Sequence, residues 1–106
     1  MLRRSRGRFR DVVERQLDLF AEDEAELLDE AARADAAWTS ADRDETEELY
    51  GDYQLVVDAI GERLYDIREA YASTLDERGA DYRKTFNDAA VKRFRRFASF
   101  LEEDED

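Results

Sequence analysis

The sequence predicts an all-α fold, an antiparallel three-helix bundle with a long central helix. Three observations carry this prediction. There is no proline and there are only four glycines (Gly7, Gly51, Gly61 and Gly79), so little interrupts a helix. Valine and isoleucine are scarce and period-two alternation is absent, which argues against a sheet. Apolar residues recur at three- and four-residue spacing along most of the chain, as amphipathic helices require.

The first helix is expected over residues 10–38. Its stripe is Val13, Leu17, Phe20, Leu27, Ala31, Ala34 and Trp38, a heptad seam with Glu24 at one seam position. A buried carboxylate is costly, so Glu24 is expected at the solvent edge, with an arginine partner as the alternative. Thr39 and Ser40 suit an N-cap, and Asp42, Asp44 and Glu45 suit the positive end of a helix dipole. The second helix is therefore expected over 41–78, with Leu49, Tyr53, Val56, Val57, Ile60, Leu64, Ile67, Tyr71 and Leu75 on its inner face. Gly51 lies inside it and is expected to bend or weaken it. Arg78-Gly79-Ala80-Asp81 reads as a turn, with Gly79 at positive φ and Asp81 capping the third helix. That helix is expected over 82–101 on the stripe Phe86, Ala90, Phe94, Phe97 and Leu101. The organisation is a basic arm (1–9), one helical domain (10–101) and an acidic tail (102–106).

These lengths do not match. At 1.5 Å per residue the helices would measure ~43, ~57 and ~30 Å, so three helices lie side by side over only part of the rod. Two helices alone seldom bury enough apolar surface to be stable. Either the central helix breaks near Gly51 or a second chain covers the stripe, and a homodimer is the preferred reading. Tyr50, Tyr53, Tyr65 and Tyr71 suit such an interface because their rings tolerate partial exposure, and Tyr50, Tyr53 and Trp38 are the apolar positions expected to be left uncovered.

Charge is segregated along the 106 residues. There are 29 acids and 17 bases, a net charge of −12, and 15 of the bases are arginine. Residues 1–15 carry +4, residues 16–62 carry −14, residues 63–101 carry +3 and the tail carries −5. Such an excess destabilises a compact fold unless salt screens it. In composition the whole chain resembles the small, uncharacterised acidic helical proteins of extreme halophiles. The resemblance implies a salt-adapted cytoplasm and carries no functional residue. No apolar run is long enough for a membrane span and no signal peptide is evident, so a cytoplasmic location is expected.

The composition narrows the chemistry. With no Cys and no His, thiol chemistry, Cys- or His-based metal sites and histidine-dependent catalytic pairs are excluded. Carboxylates are so numerous that close pairs arise by chance, so no enzymatic activity, cofactor, metal or small-molecule substrate is expected. Asp42-Arg43-Asp44-Glu45-Thr46 begins like a calcium loop, but Glu47 stands where the loop requires glycine.

Two basic clusters remain. Arg3, Arg4, Arg6, Arg8 and Arg10 precede a helix start, where positive charge opposes the dipole, so the local fold does not explain them. Lys92, Arg95 and Arg96 lie on the outer face of the third helix. The expected function is a non-enzymatic protein-interaction module using the arm arginines with Trp38, Tyr50 and Tyr53. The alternative is a nucleic-acid-associated factor. It requires the arm and Lys92, Arg95 and Arg96 to share one surface.

Overall fold

The structure is a computed structural model that describes residues 7–95 and residue 97. Among the described residues there are four α-helices and no strand: α1 Arg10–Asp23, α2 Ala25–Thr39, α3 Arg43–Ala72 and α4 Gly79–Arg93. A 3-10 turn, Asp76–Arg78, leads into α4. The all-α class is therefore as expected.

The first expected helix is two helices with Glu24 between them. Glu24 has φ −110° and ψ 30°, and its N–H still donates to the Phe20 carbonyl. The side chains on either side of this break differ. The inner face of α1 carries Val13, Leu17 and Phe20, all buried, whereas α2 is rich in alanine and buries only Ala31. Small side chains let α2 run close along α3, while α1 stands off and leaves room for the rings of α4. Glu24 sits at the solvent edge and also pairs with Arg63 at 3.1 Å.

Thr39 and Ser40 do not cap α3. Their hydroxyls donate back to the carbonyls of Asp35 and Ala36 in the last turn of α2. Asp42 takes the N-cap position instead, with extended backbone (φ −67°, ψ 160°), although its carboxylate makes no capping bond. This places the calcium-like segment at a helix start. α3 passes through Gly51 without interruption and ends at Ala72, six residues before Arg78.

The turn before α4 corrects the sequence reading. Gly79 has φ −59° and is the first residue of α4, not a positive-φ cap. The left-handed position is Asp76, with φ 53°. Aspartate tolerates that region better than most side chains. Gly79 is needed for space: a Cβ there would lie 3.3 Å from the Ala72 carbonyl and 3.2 Å from the Arg83 guanidinium. Asp81 falls inside the first turn of α4, where it favours the dipole without capping. At the other end, Phe94 leaves helical geometry (φ −118°, ψ 48°), so α4 stops at Arg93, short of the expected Leu101. Phe97 lies in the turn beyond it.

The core is built from Phe9, Val13, Leu17 and Phe20, from Ile60, Leu64 and Ala72, and from Tyr82, Phe86 and Ala90. Phe9 meets the Tyr82 ring at 5.6 Å, and Phe20 meets Phe94 at 5.4 Å. These two contacts show that α1 and α4 run parallel. Arg83 bonds Glu69, while Tyr53 meets Phe97, so α4 and its extension run antiparallel to α3 as far as Tyr53. α3, with 30 residues, spans ~45 Å of a molecule 53 Å long, whereas the 15 residues of α4 span ~22 Å. Beyond Tyr53, among the described residues, only the ends of α2 and α3 remain.

Candidate interaction surface

That outer end of the α2–α3 hairpin brings together three residues singled out from the sequence. The Trp38 and Tyr50 rings meet edge to face at 4.8 Å, and Tyr53 lies 6.0 Å from both. The spacing explains the cluster. Trp38 ends the α2 seam, and Tyr50 and Tyr53 are three residues apart on one face of α3, directly across the short link. Tyr53 is buried, Trp38 is half-buried and Tyr50 is 42% exposed. Phe97 closes the inner edge of the cluster at 6.5 Å from Tyr53. Gln54 donates to the Tyr50 hydroxyl at 3.0 Å, which steadies the exposed ring.

The indole N–H of Trp38 is buried and has no acceptor among the described residues. An unpaired buried donor costs ~1–3 kcal/mol. Around it the surface is acidic. Residues 35–52 carry seven carboxylates against the single Arg43. No group of three or more carboxylates converges on a metal-sized site among the described residues.

The basic candidates are dispersed. Arg8 and Arg10 are exposed at the start of α1, beside the Tyr82 end of α4. Lys92 and Arg95 are exposed at the opposite end of α4. Ten residues of helix separate Tyr82 from Lys92, or ~15 Å. Arg93, their neighbour, is held by Asp18 at 2.7 Å. Arg3, Arg4, Arg6 and Arg96 lie outside the described residues. Among those described, the two basic clusters occupy opposite ends of the α1–α4 pair.

A second polar cluster, not singled out from the sequence, lies at the far end of the molecule. Arg68 is 3% exposed and donates to Glu69 at 2.7 Å and to the buried Asn87 at 2.9 Å. Its guanidinium lies 5.0 Å from the centre of the Tyr65 ring. Arg83 grips the same Glu69 carboxylate with two bonds of 2.9 Å. The bonds from Arg83, then from Arg68, hold the Glu69 carboxyl down at about 2, against 4.5 ordinarily. Burial pushes the Tyr82 phenol up to about 12, although its hydroxyl donates to Gln16 at 2.7 Å. Spacing held a signal for this cluster: Arg68 follows buried Leu64 by four residues, and Asn87 adjoins Phe86. Both arginines are engaged, and the arrangement pins α4 to α3.

No known family model matches the chain, and neither the curated proteins nor the solved structures include a similar one. The described helices include none long and apolar enough to cross a membrane.

Proposed function

We propose that this chain is a non-enzymatic helical interaction module that works by presenting the outer end of its α2–α3 hairpin to a protein partner, in the first instance a second copy of itself. In this reading the three-helix bundle is completed by dimerisation, in a salt-adapted cytoplasm. The observation that carries it is the Trp38–Tyr50–Tyr53 cluster. It lies beyond the end of α4 at Arg93 and, among the described residues, has one large ring exposed and one buried donor without an acceptor. Aromatic rings that are partly exposed and rimmed by charge are the usual anchors of protein interfaces. The nucleic-acid alternative has less support, because Arg8 and Arg10 lie at the opposite end of the α1–α4 pair from Lys92 and Arg95.

Size-exclusion chromatography with light scattering and 260/280 nm absorbance, in concentrated salt, tests the proposal. The expected species has twice the 12.4 kDa chain mass and carries no nucleic acid. Tyr50→Glu should convert it to a monomer of unchanged helicity. Tyr53 is a poor place for that test, since at 8% exposure a charge there perturbs folding as well. A monomer at every concentration would refute self-association. A nucleic-acid-laden species that clears when residues 1–10 are deleted would refute the reading as a whole.

A further inference from the structure

We propose that α4 is an exchangeable helix: the junction at Asp76 straightens, α3 and α4 become one continuous helix, and the α4 segments of two copies change places. This goes beyond docking at the aromatic tip and does not depend on it.

The junction between α3 and α4 is close to helical on both sides of Asp76. Ser73 (φ −65°, ψ −15°), Leu75 (φ −105°, ψ −4°), Arg78 (φ −86°, ψ −2°) and Gly79 (φ −59°, ψ −35°) all have right-handed backbone. The Ser73 N–H donates four residues back, to the Glu69 carbonyl, and the N–H groups of Thr74, Leu75 and Arg78 donate three residues back, as in tight helical turns. The Ser73 and Thr74 hydroxyls also bond back, to the carbonyls of Ala70 and Tyr71. Among the described residues only Asp76, with φ 53°, has left-handed backbone. The sequence has no proline to forbid a helix there. A residue other than glycine is strained at that φ, aspartate less than most. Turning Asp76 to helical φ removes the strain and carries one helix over 43–93, ~76 Å long.

The second copy follows from what α4 leaves behind. α4 packs through Tyr82 on Phe9 and Tyr71, and through Arg83 and Asn87 on Glu69 and Arg68. Just past its end, Phe94 packs on Phe20. A straightened helix carries all of these groups away from its own α1 and α3. The surface left behind holds apolar rings and a buried arginine, placed to fit α4. The α4 of another copy, carried across in the same way, makes each of these contacts again. The exchange is reciprocal, so two chains satisfy each other and the assembly closes. The two forms differ chiefly at the junction, and strain in a short connection favours exchange. Leu75 packs against the core from the closed turn and opposes the change. Pairing also costs translational freedom, so the exchanged form gains as concentration rises. Because α4 must first leave Arg68 and the rings, folded chains do not exchange on mixing, whereas chains refolded together at high concentration do.

The chain contains no cysteine, so single Cys substitutions give clean cross-linking sites. Arg93 donates to Asp18 at 2.7 Å across the α1–α4 contact, and both residues are exposed. That pair lies within one chain in the closed form and between chains after exchange. The experiment uses full-length Asp18→Cys and Arg93→Cys variants, each also carrying Tyr50→Glu to remove the tip contact. They are unfolded in urea, mixed, refolded at high concentration in concentrated salt and treated with a short bismaleimide. The expected product is a mixed covalent dimer, absent when the two folded variants are simply mixed. A refolded mixture without that dimer would overturn the exchange and leave tip docking untouched. Formation of the mixed dimer supports the exchange even where the gently purified parent is a monomer, a result that counts against tip docking alone.

Asp76 supplies a second readout, light scattering of the refolded protein in the same Tyr50→Glu background. Asp76→Gly relaxes the closed turn and weakens the continuous helix, so the Kd of the exchanged dimer should rise at least about tenfold. Asp76→Ala strains the turn further and favours helix, so the Kd should fall by about the same factor. Equal dimerisation of the two variants would overturn the assignment of Asp76 as the hinge.

Discussion

Replacing Glu69 with glutamine tests the polar cluster that ties α4 to α3. The substitution keeps the shape and one acceptor but removes the charge that faces Arg68 at 2.7 Å and Arg83 at 2.9 Å. The carboxyl lies at about 2, compared with 4.5 ordinarily. Taken whole, that displacement corresponds to ~3 kcal/mol. Solvent reaches 29% of the Glu69 side chain, and screening reduces the contribution to about 2 kcal/mol. A depressed carboxyl contributes stability that is fully present above 4.5 and is lost as the pH falls through about 2. At pH 7, Glu69→Gln should therefore melt about 8–16 °C below the parent, taking ~4–8 °C per kcal/mol for a domain of this size. The gap should close between pH 4.5 and pH 2. Thermal unfolding followed by circular dichroism, with both proteins scanned at each pH, isolates Glu69 from the other carboxylates. A difference below about 0.5 kcal/mol at pH 7 would refute the assignment. A difference that does not change on acidification would refute its electrostatic origin.

Two of the helical glycines, Gly51 and Gly79, should respond in opposite directions. Gly51 has open space around it, so Gly51→Ala should stabilise by about 1 kcal/mol in urea unfolding. Gly79→Ala should destabilise, because its Cβ would press on the Ala72 carbonyl at 3.3 Å, and backbone cannot swing aside as a side chain can. Equal effects at the two sites would refute the close-approach account of Gly79. Tyr82, with its phenol pushed up to about 12, favours the neutral form in the fold. Its contribution is fully present below pH 10 and is lost as the pH rises toward 12. Absorbance at 295 nm should show a tyrosinate that appears only as the pH nears 12, and Tyr82→Phe should remove that late step. Early titration of all five tyrosines would contradict its burial.

Much of the fold was legible because helices are local. Their stripes place Val13, Leu17, Phe20, Ile60, Leu64, Phe86 and Ala90 inside, and all of them are buried. The mismatch in helix length was also legible. It leaves Trp38 and Tyr50 at an end that α4 does not cover. The boundaries were less so. Thr39 and Ser40 have two ways to use a hydroxyl, capping forward or bonding back, and only the neighbouring backbone decides between them. Gly79 has two reasons to be glycine, left-handed backbone or close approach, and one sequence cannot separate them.

Composition and periodicity by themselves determined the helical class, the inner faces and the charge segregation, because each depends on residues a few positions apart. Tertiary structure alone decided where α1 turns into α2. It also decided that Arg68, Glu69, Arg83 and Asn87 share one site, and that the basic clusters stand at opposite ends of the α1–α4 pair. Those outcomes depend on packing distances between segments far apart in the chain. The large α1 side chains and the alanines of α2 set different helix separations, and every long-range partnership follows from how the four helices then fit.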